Sequence, residues 1–275
     1  MIEWSAGDFA ARNISTPRLD AELLVAEALS IDRVGLYMDL DRPLVDAERA
    51  AVRVLVGRRR EREPVAYILG YRDFYGRRFE VSNAVLIPRP DTETLVEHAL
   101  RCIPADRHVD VLDVGTGSGA VALTIAAERP STRVTGTDLS DDALKVANAN
   151  RNRLGLDDRV HFERADVVNA GGPYGVVVSN PPYVTNEELR SLEPEVRDHE
   201  PTLALEGGAD GLDVVRALLR ATAAVTAAGA DLLVEIGRGQ ARSTVALGEE
   251  TRAWSPVDTY PDINGVARVV HLRRT

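Results

Sequence analysis

The run Val176-Val177-Val178 followed by Ser179-Asn180-Pro181-Pro182-Tyr183 limits this chain more than any other stretch. Three β-branched residues without polar alternation read as a strand buried on both faces. Two prolines then fix φ, offer no N–H and cannot continue a ladder, so the strand ends and a stiff loop begins. In an open α/β sheet, that carboxyl edge is where ligands bind. The loop supplies a short amide side chain (Asn180), free backbone carbonyls and an aromatic ring (Tyr183). Such a set grips a planar group bearing an NH2: acceptors take its two hydrogens while the ring covers its face. Asn-Pro and Pro-Pro also mark ordinary strand-ending turns, so the stretch gains its meaning from what surrounds it.

From Val109 onward, strand and helix patterns alternate, the mark of a parallel sheet. Strands are expected at 109–114, 133–137, 160–164, 175–179, 230–236, 254–260 and 267–272, the last two as a hairpin. Helices are expected at 120–128, 141–154, 210–223 and 239–249, with Ser140 as an N-cap and Asp141 and Asp142 in the first turn. Upstream, Thr16-Pro17 opens a helix whose apolar face runs through Leu19, Leu23, Leu24, Ala26 and Ala28. A second helix starts at Asp46 and ends in the charged run Arg58 to Glu63. Five arginines lie between Arg53 and Arg62, and the glutamates among them favour a solvated helix face over a docking patch. The stretch from Tyr71 to Pro90, with aromatics at Tyr71, Phe74, Tyr75 and Phe79 around Gly70 and Gly76, reads as a hairpin-like connection, and Glu93 to Cys102 as a further helix. A length of 275 residues suits about two domains. The boundaries expected are a helical domain at 1–75, a hairpin and linker at 76–90, and an α/β domain at 91–275.

Between the first strand and helix of that domain stands Asp113-Val114-Gly115-Thr116-Gly117-Ser118-Gly119. Alternate glycines let the backbone turn tightly and come close to a ligand. The spacing is G-x-G-x-G, without the G-x-G-x-x-G that seats a pyrophosphate on a helix N-terminus. Asp138 ends the second strand 19 residues after Gly119, where a carboxylate accepts both ribose hydroxyls. Asp166 ends the third strand, where it accepts from an adenine amino group, with Val167 beside the ring. An adenosine without a pyrophosphate, in such a sheet, points to S-adenosyl-L-methionine.

The formal net charge of −10 weighs against a protein that holds nucleic acid chiefly by its phosphates. A single cysteine, Cys102, excludes an internal disulfide framework and fits a reducing compartment. No signal peptide is visible at the start, and the most apolar stretch, 217–236, is broken by Arg220 and Asp231. A cytoplasmic location is therefore expected. No clustered His and Cys ligands are apparent, so no metal is expected.

The chain resembles the HemK/PrmC protein-(glutamine-N5) methyltransferases over nearly its whole length. The resemblance is carried by Glu63-Pro64-Val65-Ala66-Tyr67-Ile68-Leu69-Gly70, Leu86-Ile87-Pro88-Arg89-Pro90-Asp91-Thr92-Glu93, the glycine loop, Ser179 to Tyr183, His199-Glu200-Pro201, and Glu235-Ile236-Gly237 with Gln240. The Asn-Pro-Pro-Tyr tetrapeptide is shared with adenine methyltransferases, whereas the Ile-Pro-Arg-Pro stretch is far more particular to this family. The resemblance implies a seven-stranded Rossmann-like class I methyltransferase domain behind a small helical N-terminal domain that docks the substrate. It implies methyl transfer from S-adenosyl-L-methionine, leaving S-adenosyl-L-homocysteine, to the glutamine of the Gly-Gly-Gln motif in peptide chain release factors. Asn180 and the Pro181 carbonyl would accept the two amide hydrogens, with Asn180 also among the cofactor-binding residues and Pro182 and Tyr183 lining the pocket. The enzyme is expected to act as a monomer, without direct nucleic acid or membrane contact. Other readings are a methyltransferase for glutamine in a ribosomal protein, one for adenine N6 in nucleic acid, and a non-catalytic cofactor-binding scaffold.

Overall fold

The N-terminal stretch is helical because its apolar residues recur at helical spacing, yet it buries charge as well. Helices α1 (Ile2–Ala11), α2 (Pro17–Ala28), α3 (Arg33–Met38), α4 (Asp46–Arg60) and α5 (Val65–Leu69) pack around Phe9, Leu24, Val25, Val52, Val56 and Ile68. The predicted face of α2 is only partly right. Leu24 and Ala26 are buried, but Leu19 is 39% exposed, while Asp20 and Glu22 are buried. Asp20 accepts from Arg59 Nε at 2.7 Å, and Glu22 accepts from Arg18, Arg33 and Tyr37. Buried charge is tolerated only when paired in this way. The arginine run is therefore not simply a solvated face: Arg59 is 4% exposed and also donates to Glu195 at 2.8 Å, and Arg62 takes the other Glu195 oxygen at 2.6 Å.

The computed structural model describes residues 1–38, 42–165 and 171–275. Its two compact units are Met1–Tyr71 with Glu193–His199, and Arg72–Leu192 with Glu200–Thr275. The larger unit begins with a hairpin of β1 (Tyr71–Phe74) and β2 (Arg77–Glu80), followed by α6 (Glu93–Cys102). Then come β3 (Asp110–Val114), α7 (Ala120–Glu128), β4 (Arg133–Asp138), α8 (Asp141–Leu154), β5 (Val160–Arg164) and β6 (Tyr174–Ser179). After the two-residue β7 (Val184–Thr185) the chain passes through α9 (Pro194–His199), which belongs to the smaller unit, and returns as β8 (Glu206–Gly208), α10 (Asp213–Thr222), β9 (Thr226–Glu235), α11 (Ala241–Glu250), β10 (Trp254–Pro261) and β11 (Ala267–Arg274).

Seven of these strands form one sheet in the order β10-β11-β9-β6-β3-β4-β5. The pairs from β9 through β5 are parallel, and β11 is antiparallel to both β9 and β10. Central strand β6 is sandwiched as its sequence requires: Val176 and Val178 enter one apolar core with Leu123 and Ile125, and Val177 the other with Leu232 and Trp254. Each fully buried valine contributes about 1.5–3 kcal/mol. That burial holds the strand whose end carries Asn180.

Candidate active site

Parallel pairing aligns the carboxyl ends of β3, β4 and β6, and a cavity of about 420 Å3 opens there. Gly115, Thr116, Gly117 and Ser118 line it from the glycine loop, Asp138 from β4, and Asn180 and Pro182 from the loop after β6. Gly119, Pro181 and Tyr183 fall outside this lining. Asp166 and Val167 lie outside the described residues, although their neighbour Ala165 is on the cavity wall.

The glycine loop is wound by backbone and carboxylate together. The N–H groups of Gly115 and Thr116 both donate to the Thr137 carbonyl at 2.9 Å. Gly117 N–H donates to one Asp138 oxygen and Ser140 N–H to the other, each at 2.9 Å. The carboxylate is thus fixed, with lone pairs left for hydroxyl donors. Gly117 has φ of 56°, and a Cβ built there or on Gly115 meets no atom within 4 Å, so the loop offers bare backbone beside the cavity. Below it, Asp113 accepts from the Thr116 hydroxyl at 2.7 Å and the Ala122 N–H at 3.2 Å. Burial nevertheless pushes its carboxyl up to about 7.

Asn180 is oriented by a residue that sequence reasoning did not single out. Its Nδ2 donates to Thr92 Oγ1 at 3.2 Å, and both residues line the cavity. Tyr183 differs from expectation. The turn imposed by Pro181-Pro182 carries it away from the lining and in among glycines. A Cβ on Gly237 would come within 3.1 Å of its ring, and one on Gly211 within 2.3 Å of its carbonyl oxygen. Gln240 Nε2 donates to that carbonyl at 3.1 Å, while Gln240 Oε1 accepts from Gly237 N–H at 2.8 Å. Burial, with the Glu235 carboxylate next in effect, pushes the phenol up to about 12. Tyr183 therefore braces the loop and is absent from the lining of this cavity.

Two further buried groups hold the rim. Glu200, 5% exposed, accepts from Ile87 N–H at 3.2 Å and from Arg89, fixing the stretch in which Pro88 and Arg89 line the cavity. Asn150, wholly buried on α8, binds the Glu80 backbone through both N–H and carbonyl and donates to the Ser118 carbonyl at 3.0 Å. One side chain thereby ties the hairpin to the glycine loop. His199 is absent from the lining and approaches the Glu61 carbonyl at 3.1 Å.

Cys102, Asp231 and His271 converge, with ligand atoms all within 4.8 Å of one another, which corrects the expectation that no such cluster exists. Asp231 lies on β9 four residues before its carboxyl end, away from the cavity, and is taken up by His271 at 2.8 Å and Arg273 at 2.8 Å. Among the described residues, no helix is long and apolar enough to cross a membrane.

Residues 1–70 match the PrmC N-terminal domain, and residues 91–195 match the Methyltransferase small domain. The release factor glutamine methyltransferase of Geobacter sulfurreducens is 41% identical, covering 98% of this chain and 94% of that protein. The one from Bradyrhizobium diazoefficiens is 42% identical, covering 99% and 95%. Among solved structures, a methyltransferase from Pyrococcus furiosus shares the fold, with a TM-score of 0.53 at 15% identity over 82% of this chain and 98% of that one.

Proposed function

Because this chain belongs to the release factor glutamine methyltransferase family, we propose that it methylates the N5 side-chain amide of the glutamine in the Gly-Gly-Gln motif of peptide chain release factors. The observation that carries this reading is Asn180, anchored through its nitrogen on Thr92 beside a glycine cradle sized for a nucleoside. Its oxygen is left as an acceptor where an NH2-bearing substrate would enter.

S-Adenosyl-L-methionine, when bound, supplies a methyl group on a positively charged sulfur and leaves as S-adenosyl-L-homocysteine. Its holders would be the backbone of Gly115 to Ser118 and the Asp138 carboxylate for ribose hydroxyls, with Asp166 and Val167 assigned to adenine. An amide nitrogen is a poor nucleophile because its lone pair is delocalised into the carbonyl. The residues here therefore act mainly by orientation, which is worth several kcal/mol when reacting atoms are held in line. Asn180 Oδ1 and the carbonyl of Pro181, which lies between two lining residues, accept the two amide hydrogens. That arrangement favours the pyramidal nitrogen that develops on attack. Pro182 limits the pocket and Tyr183 stiffens the loop from behind. The amide proton leaves after transfer, when the nitrogen is far more acidic.

A net charge of −10 and a protein substrate support action without direct nucleic-acid contact. The test is mass spectrometry of unmethylated release factor incubated with this chain and S-adenosyl-L-methionine. One added methyl on the Gly-Gly-Gln glutamine is expected. Bound cofactor with no methyl there overturns the substrate assignment.

A further inference from the structure

An asparagine amide fits its site nearly as well turned end for end, yet only one end serves this reaction. With its oxygen toward the substrate it accepts from an NH2 group; with its nitrogen there, donor faces donor. Something must fix the choice. Asn180 Nδ2 lies 3.2 Å from Thr92 Oγ1, and Thr92 is 4% exposed in the short 3-10 turn that leads into α6. Behind Thr92 stands Glu235, 1% exposed at the carboxyl end of β9, its carboxyl kept from rising further by the Thr92 side chain. Glu235 is not on the cavity lining, and its Oε2 has no hydrogen-bond partner among the described residues. No step described above uses this carboxylate.

We propose that Glu235 and Thr92 are positioning residues: the buried carboxylate draws the Thr92 hydroxyl proton, and the Thr92 oxygen then accepts from Asn180, turning its Oδ1 toward the substrate. The proposal rests on the reading of the cavity as an amide-methylating site. A hydroxyl has one proton, so donation to Glu235 leaves only acceptor lone pairs facing Asn180. Ionised Glu235 enforces that polarity because it can only accept. Protonated Glu235 can donate to Thr92 instead, and the constraint is lost.

The groups facing Glu235 are Arg268 on β11, Asp91 and Arg89 ahead of α6, Tyr183 after β6, and Thr92 itself. Arg268 is committed to Asp91 at 3.0 Å and Asp262 at 3.1 Å. Burial pushes the Glu235 carboxyl up to about 7, against the Thr92 hydrogen bond and the Arg268 charge. Methyl transfer should therefore rise with pH through about 7 as Glu235 ionises.

Three variants test this in the full chain with release factor as substrate: Thr92→Val, Thr92→Ser and Glu235→Gln. Thr92→Val should lower kcat about tenfold or more, the scale of one misdirected hydrogen bond in the transition state, with cofactor affinity within about twofold. Thr92→Ser should restore most of the loss, and Glu235→Gln should abolish the rising limb of kcat. A Thr92→Val enzyme at full rate, a serine variant no better than the valine one, or a limb retained in Glu235→Gln would overturn the proposal. Glu235→Gln removes a carboxylate that is costly to charge in the folded state at neutral pH, so it should fold even where Thr92→Val does not. The Asn180 side-chain amide resonances give a readout independent of substrate identity: they should titrate near pH 7 in the wild type and stay constant in Glu235→Gln. Resonances indifferent to pH in both would refute the relay. A wild type that titrates but leaves release factor unmethylated would refute the substrate reading alone.

Discussion

Carboxylates at strand ends do different work here according to what surrounds them. Asp138, at the cavity edge, is held by two backbone N–H groups, whereas Asp113 sits beneath the loop at about 7. Removing Asp138 should cost cofactor affinity, because it takes away a carboxylate acceptor and frees the Gly117 N–H. Asp138→Ala is expected to weaken S-adenosyl-L-methionine binding about 10- to 100-fold by calorimetry, the range for a hydrogen bond to a charged group. Unchanged affinity would contradict the ribose assignment. Asp138 was legible because it stands a fixed distance from a glycine loop in the same βαβ unit. Thr92 was legible only as a member of the 86–93 stretch, and its meeting with Asn180 across 88 residues of chain was not. The same holds for Gln240, 57 residues from the Tyr183 carbonyl it supports. Tyr183 was legible as part of a motif but not in its orientation, which the glycines at 211 and 237 decide.

At the scale of elements, the strands and helices around the cavity follow from local chemistry. Ser140 caps α8 by accepting from Ala143 N–H at 3.1 Å, and α7, α8 and β5 occupy the spans their patterns predict. Helices α1 and α3 escaped notice because α1 buries only Ser5 and Phe9, and α3 only Leu36, too few positions to show a period. Two glycines near the loop should fail differently. A Cβ on Gly136 of β4 would lie 2.6 Å from the Phe162 ring and 2.8 Å from Thr116 Oγ1. Gly136→Ala is expected to lower stability by about 1–3 kcal/mol in urea unfolding, the usual cost of overpacking. Gly117→Ala meets no protein atom, so its stability cost should be limited to about 1–2 kcal/mol of left-handed backbone strain, while its methyl intrudes on the cofactor. Calorimetry should show lost affinity for Gly117→Ala, and full affinity would contradict the cradle.

At the scale of the molecule, the helical unit takes in Glu193–His199, a segment far along the chain. Arg59 and Arg62 account for it by gripping Glu195 from 136 and 133 residues away, a pairing invisible in an arginine run that reads as surface. Replacing Arg59 strands Asp20 as a buried charge and leaves Glu195 with Arg62 alone. Arg59→Met is expected to lower stability by about 3–5 kcal/mol at pH 7 in urea unfolding, and less than about 1 kcal/mol would show the pair to be ornamental. Burial pushes Glu195 up, but the hydrogen bond from its own backbone, the Arg59 hydrogen bond and charge, and the Arg62 hydrogen bond outweigh it and hold the carboxyl below its usual range. Its folded value is depressed, so its contribution is present at neutral pH and fades as pH falls below the usual glutamate range. The fold as a whole brings the glycine loop, Asp138 and Asn180 to one sheet edge, around one cavity. The most direct test is Asn180→Ala, assayed together for calorimetric binding of S-adenosyl-L-methionine and single-turnover methylation of release factor glutamine. Binding should stay within about twofold of wild type while methyl transfer falls about 100-fold or more. Methyl transfer within a few fold of wild type would contradict the role of Asn180, and with it this account of the site.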